Sequence, residues 1–134
     1  LDAHWVGKDS LFRWPLGTIF RKLGGIPIKR DVRNGFVAEM AAQFAAHPDF
    51  LLVIAPEGTR SLTQGWKSGF YRIAQAAEVP VAIAFIDYSR REIGIATYLT
   101  LTGDPATDIA AIARLYEDRT GKHPELASPI LWLA

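Results

Sequence analysis

The sequence predicts an α/β fold with a mostly parallel central sheet flanked by helices, and three observations predict it. Two runs, 50-FLLVIA-55 and 80-PVAIAFIDY-88, are apolar at consecutive positions, as expected of strands covered on both faces. Around them, apolar residues recur at three- and four-residue spacing, as on one face of a helix. The two patterns alternate along the chain, which argues for layers of helices on a sheet in a single domain spanning residues 1–134.

In order, 3-AHWVGK-8 reads as a short strand, and 10-SLFRWPLGTIFRKLG-24 as one or two short helical turns stopped by Gly24-Gly25. The run 26-IPIKR-30 is strand-like and ends in two cations. From Gly35, Phe36, Met40 and Phe44, with Val37, Ala41 and Ala45 beside them, make a helical stripe that closes at His47-Pro48. After the strand 50–55, Phe70, Ile73, Ala74 and Ala77 mark a second helix ending before Pro80. A turn at Ser89-Arg90-Arg91 joins the strand 80–88 to a neighbour, 92-EIGIATYLTLT-102. Asp104 caps a third helix with Pro105 at its first position and Ile109, Ile112, Ala113 and Tyr116 as its buried stripe. The tail 124-PELASPILWLA-134 is apolar and broken by proline, either packed on the core or an edge that meets another segment. There is no internal repeat or linker.

Net charge is +1, unevenly spread: residues 1–35 hold seven Lys/Arg against three Asp, and the remainder eight against eleven. This amino-terminal surplus comes with Trp5, Phe12, Trp14 and Phe20 and suits an anionic ligand or membrane surface. No dense basic run or nucleic-acid module is present, so nucleic acid is not expected as a partner. The absence of cysteine excludes disulfides and thiolate metal sites, no His/Asp/Glu cluster suggests a metal, and no Gly-x-Ser-x-Gly elbow suggests a serine hydrolase. The apolar runs fall far short of the roughly 20 residues that span a bilayer.

In open α/β sheets, ligands bind beyond the carboxyl ends of the strands. Two charged clusters fall there: 29-KR-30 and 57-EGTR-60. Gly58 permits a sharp turn with an exposed amide, Thr59 and Ser61 add hydroxyls, and Arg60 offers a planar fork that fits phosphate oxygens. Glu57 would repel a phosphate unless Arg30, Arg60 or Lys67 neutralises it, so its expected work is to order those cations or to accept from a substrate hydroxyl. Composition alone leaves open an ordinary turn with a solvated arginine.

The strings 24-GGIPIKR-30, 55-APEGTRS-61 and 67-KSGFYRIAQAAEVPVAIAFI-86 resemble the second, third and fourth blocks of the lysophosphatidic acid acyltransferase family, in order and at similar spacing. The resemblance covers about residues 5–90. Ala55 stands where the family has Phe, the fourth block lacks its second Pro, and Lys29 replaces a more usual acidic residue. The resemblance implies a glycerol-phosphate acyltransferase-like fold. It also implies transfer of a fatty acyl group from acyl-CoA or acyl-ACP to the hydroxyl of a lysophospholipid such as 1-acylglycerol 3-phosphate, in phospholipid biosynthesis. No metal or other cofactor is implied, and the enzyme is expected to sit peripherally on the cytoplasmic face of the membrane. Arg30, Arg60 and Lys67 would bind the acceptor phosphate, with Glu57, Gly58 and Thr59 completing the loop. Another lysolipid acceptor, such as lyso-ornithine lipid, and a non-catalytic anion- or lipid-binding module remain as alternatives.

The family's first block, Asn-His-x-Ser-x-x-Asp, implies a histidine general base oriented by an aspartate. His4 and Asp9 match His-x4-Asp by letter, but no Ser or Asn accompanies them, and the stretch 6-VGKDSLF-12 resembles the family's sequence after that block. The catalytic pair is therefore expected upstream of Leu1, in a segment absent from this chain, which would bind its substrates without turning them over. His47 and His123 each precede a proline at a helix end, without metal partners. Finally, 12-FRWPLGTIFRK-22 interleaves apolar and basic residues, which suits either a bilayer interface or aromatics laid on the sheet.

Overall fold

The computed structural model describes residues 2–28 and 33–133. They form two compact units, Leu1–Ile54 and Ala55–Ala134.

In the first unit, β1 (Asp2–Lys8) lies between β2 (Gly25–Ile28) and β3 (Phe50–Val53), all parallel, in the order β2-β1-β3. The register sets Trp5 beside Gly25 and Val53, and Lys8 beside Ile28. A 3-10 turn, Asp9–Phe12, and α1 (Gly17–Lys22) connect β1 to β2, and α2 (Arg33–Ala46) leads into β3. The core explains these connections. Phe12 is buried and stacks on Trp5 at 5.7 Å, Phe20 from α1 meets both rings edge-on at 6.0 and 6.3 Å, and the Trp5 indole N–H donates to the Leu23 carbonyl at 3.0 Å. On α2, Met40 is buried and Phe44 packs edge-on against Phe50 at 4.8 Å, as the helical stripe predicts.

β3 corrects the expectation of a strand covered on both faces. It is the end strand of its sheet, and Leu51 and Val53 remain exposed. An apolar residue on each face says only that neither face was chosen for water; it does not supply the cover.

The second unit carries α3 (Gly69–Ala77), then β4 (Val81–Asp87) and β5 (Glu92–Leu99) as an antiparallel hairpin, then α4 (Pro105–Tyr116) and a 3-10 turn, Pro124–Leu126. The fold class is α/β, with a three-stranded parallel sheet flanked by helices. β4 likewise has one open side. Ile83 and Asp87 are buried, whereas Ile86, paired with Ile93 across the hairpin, is exposed together with it. α4 follows its sequence pattern: the Asp104 carboxylate accepts from the Ala106 N–H at 3.2 Å, Pro105 occupies the first turn, and Ile109 and Ile112 are buried.

Candidate active-site loop

Chain direction brings residues 55–68 out directly after β3, and they fold back on themselves. The Gly58 N–H donates to the Ala55 carbonyl at 3.1 Å and the Lys67 N–H to the Pro56 carbonyl at 3.0 Å. Gly58 takes φ +66°, a left-handed conformation that costs a side-chain-bearing residue strain. The lack of a side chain also makes room for the Lys67 ammonium, whose Nζ would lie 2.7 Å from a Cβ at this position. One residue on, Thr59 Oγ1 accepts from the Ser61 N–H at 3.2 Å, a local turn that leaves Gly58, Thr59 and Arg60 exposed.

The carboxyl-terminal tail holds this loop. Glu57 Oε1 accepts from the Ser128 N–H at 3.2 Å, and the buried Ser128 hydroxyl accepts from the Thr63 N–H at 3.0 Å and bonds the Thr63 hydroxyl at 2.9 Å. Trp66 and Trp132 form a parallel bridge, with the Trp66 N–H donating to the Leu131 carbonyl at 2.7 Å and the Leu133 N–H to the Trp66 carbonyl at 2.9 Å. At Gly65 a Cβ would stand 2.7 Å from the Leu131 carbonyl oxygen, so the close approach of tail and loop needs glycine there.

Glu57 is thus turned toward a backbone amide. Among the described residues it makes no ion pair with Arg60 or Lys67, whose charged groups likewise have no acceptor there. The structure brings Gly58 and Lys67 together and sets Glu57 against the tail. Lys29 and Arg30 lie outside the described residues.

A sequence model of the family described as Acyltransferase matches residues 2–86, well over half of the chain. The chain belongs to the acyltransferase family. No curated protein and no solved structure matches it. The match takes in the loop of this acyltransferase and ends within β4, before Asp87, Asp108 and the tail that holds the loop.

His4 and Asp9 are not brought together in the acyltransferase. His4 lies within β1 and Asp9 just past its carboxyl end, and five residues of extended chain at roughly 3.3 Å each separate them by about 16 Å. The His4 ring tilts over Phe50 at 4.8 Å and lines a 280 Å³ cavity with Gln43, His47, Pro48, Asp49 and Phe50. Asp9 opens the 3-10 turn beyond the other end of β1. His123 Nδ1 lies 3.3 Å from Glu125 in an exposed turn. Among the described residues no cluster of His, Cys, Asp or Glu could hold a metal, and no helix is long and apolar enough to cross a membrane.

Two buried carboxylates escaped sequence reasoning. Asp108, on α4, accepts from the Tyr71 hydroxyl at 2.9 Å, the Thr102 N–H and hydroxyl at 3.0 and 2.9 Å, and the Gly103 N–H at 3.3 Å. Burial alone would raise its pKa; the bonds from Thr102, Tyr71 and Gly103 together outweigh it and hold the group below the usual carboxylate value. Tyr71 is pushed up to about 12, by burial first and then by the hydrogen bond and charge of Asp108 and the charge of Asp104. Asp87 is held low by the Ser89 hydroxyl at 2.7 Å, against its own burial, with help from the Arg90 and Ser89 N–H groups and the Arg90 charge. Arg119 joins this group, 3.4 Å from Glu92 and 3.8 Å over the Phe85 ring. The sequence signal for Asp87 was an Asp-x-Ser turn; for Asp108 there was none.

Proposed function

We propose that this acyltransferase moves a fatty acyl group from acyl-CoA or acyl-ACP to the free hydroxyl of a lysophospholipid such as 1-acylglycerol 3-phosphate, working peripherally at the cytoplasmic face of the membrane in phospholipid biosynthesis. One observation carries the acceptor assignment: the loop keeps Arg60 and the Lys67 ammonium without an acceptor among the described residues while its one carboxylate, Glu57, is occupied by the Ser128 N–H. A loop arranged in this way attracts an anion with oxygens for a guanidinium fork and an ammonium, and a phosphate monoester is such an anion. By the resemblance of 24-GGIPIKR-30 to the family's second block, Arg30 would be a further phosphate-binding residue.

The chemistry is redox-neutral. The acceptor hydroxyl attacks the thioester carbonyl, its proton passes to a base, and the tetrahedral intermediate collapses with loss of the thiolate, giving the ester and free thiol. Neither metal nor further cofactor is required by that balance. Arg60, Lys67 and the exposed Gly58 backbone would fix the headgroup and thereby the hydroxyl, so their contribution is positional.

The test is an acceptor panel assayed with the intact protein and its Arg60→Ala variant. For 1-acylglycerol 3-phosphate the variant should raise KM roughly tenfold to a hundredfold, as loss of a charge-assisted contact does. For a phosphate-free acceptor of equal chain length it should change little. Transfer to lyso-ornithine lipid in preference to every phosphate-bearing acceptor would overturn the assignment, and ligand binding without transfer to any acceptor would favour a binding module.

A further inference from the structure

The segment between β1 and β2 divides its apolar residues in two. Phe12 and Phe20 turn inward to Trp5, which answers part of what the sequence left open: these aromatics cover the sheet. The others do not. Trp14 is 91% exposed and Leu23 63%, with Leu11, Leu16 and Ile19 about half exposed. Ile19 on α1 and the residues that cap it, Leu16 and Leu23, are spaced i, i+3 and i+7 and are all exposed, while Phe20, next to Ile19, meets the Phe12 ring of the core. Folding has therefore satisfied the interior and left a second, outward apolar side.

Charge names what that side fits. Arg13, Arg21 and Lys22 are exposed around it, and residues 10–28 contain no Asp or Glu. The Arg21 guanidinium lies over the Phe12 ring at 5.6 Å, so this cation is held against the aromatic cluster beside the exposed side. Asp9, just before this stretch, is the nearest carboxylate in sequence, and within residues 10–28 all the charges are cations. A tryptophan on an apolar face with such neighbours is suited to the headgroup region of an anionic bilayer, where indole, aliphatic chains and basic side chains each find their own depth. The open side of the β4–β5 hairpin differs: Ile86, Ile93 and Tyr98 are exposed there, but Arg91 and Glu92 put both signs of charge at its end, and nothing identifies what covers it.

We infer that the side of residues 11–23 bearing Trp14, Leu16, Ile19 and Leu23 is the surface by which this acyltransferase docks on an anionic lipid bilayer. The inference rests on the proposed lysolipid activity for its purpose, since such an acceptor must be reached in a membrane. The observations behind it, exposure and one-signed charge, are independent of that activity.

The experiment is co-sedimentation of the intact protein with phosphatidylcholine vesicles, with and without phosphatidylglycerol, across a salt series. The wild type should pellet with the anionic vesicles and be released by salt. Trp14→Ser and Ile19→Gln should each weaken this binding about tenfold or more, and Arg13→Gln with Lys22→Gln should erase the preference for phosphatidylglycerol, at roughly fivefold per charge. Acyl transfer to a short-chain acceptor below its micelle concentration is measured in parallel and should stay within about twofold of wild type in all these variants. Vesicle binding that none of them changes, or no binding to either vesicle, overturns the docking surface. So does loss of the soluble reaction alongside vesicle binding, which would make these residues structural. A protein that docks as expected but acylates no lysolipid leaves the surface standing and removes the proposed function instead.

Discussion

At Asp108 four donors from three residues converge on one carboxylate, whereas at Gly58 two cations stand with no acceptor among the described residues. Both regions belong to the same unit and both are rich in charge and hydroxyl groups, yet the first is closed and the second open. Around Asp108 every bond joins elements of the fold: α3 through Tyr71, the end of the hairpin through Thr102, and α4 itself. In the loop, the one carboxylate is tied to the tail, and the cations are left facing solvent. A charge spent inside the protein supports the fold, and a charge left unspent on a constrained loop is available to a ligand.

The largest effect that would break this comparison is at Asp108. Asp108→Ala leaves buried donors without an acceptor, and we expect the thermal midpoint to fall by on the order of 10 °C, with no selective effect on acceptor KM. The charge has its own signature. Because Asp108 and Asp87 titrate below their unfolded values, the stability they contribute is fully present above about pH 4 and is lost as pH falls below it toward their folded pKa values. Asp108→Asn should flatten that acid limb. Tyr71 has the opposite sign: its contribution is present below the unfolded value of 10.0 and is lost as pH rises toward about 12, a slope that Tyr71→Phe should remove. Thermal midpoints followed across both limbs check each statement, and an Asp108→Ala protein as stable as wild type would end the contrast.

Next in size is Arg60→Ala, for which the roughly tenfold to hundredfold rise in acceptor KM should come with a midpoint shift within about 0.5 kcal/mol in stability. Equal loss of stability at Arg60 and Asp108 would mean that both regions are structural. Gly58→Ala follows, with about 1 kcal/mol of strain at φ +66° and a Cβ that displaces the Lys67 ammonium, so KM should rise several-fold while kcat holds.

How much of this was legible depended on the range over which a residue's role is decided. The α4 stripe and the Asp104 cap were read correctly because helical period and capping are settled within a few residues. The loop 57-EGTR-60 stood out as a candidate site because glycine, hydroxyl and guanidinium suggest their uses by their chemistry. Glu57 was not: its partner, the Ser128 N–H, lies 71 residues away and was chosen by the folding back of the tail. The same holds for Tyr71 and Asp108, 37 residues apart, and for β3, whose apolar pattern could not say how many of its sides would be covered. Periodicity is local, whereas pairing is decided by topology.

The smallest effect tests how tightly the tail sets the loop. Ser128→Ala removes the hydroxyl that accepts from the Thr63 N–H and bonds the Thr63 hydroxyl, but it keeps the backbone N–H that donates to Glu57. The Thr63 hydroxyl retains the Gly65 carbonyl at 2.9 Å, so the loss is concentrated on one backbone donor and should cost about 1 kcal/mol. If the tail only seals the core, that loss appears in the midpoint and leaves acceptor KM unchanged. If it sets the position of the loop cations, KM rises about twofold to threefold as well, and Gly65→Ala, which forces Leu131 away, should produce the same pair of changes more strongly. A midpoint loss in both variants with wild-type KM would separate the tail from the site. The open loop would then owe its shape to its own internal bonds, among them the turn at Gly58, the Ser61 N–H to Thr59 Oγ1, and the Lys67 N–H to the Pro56 carbonyl.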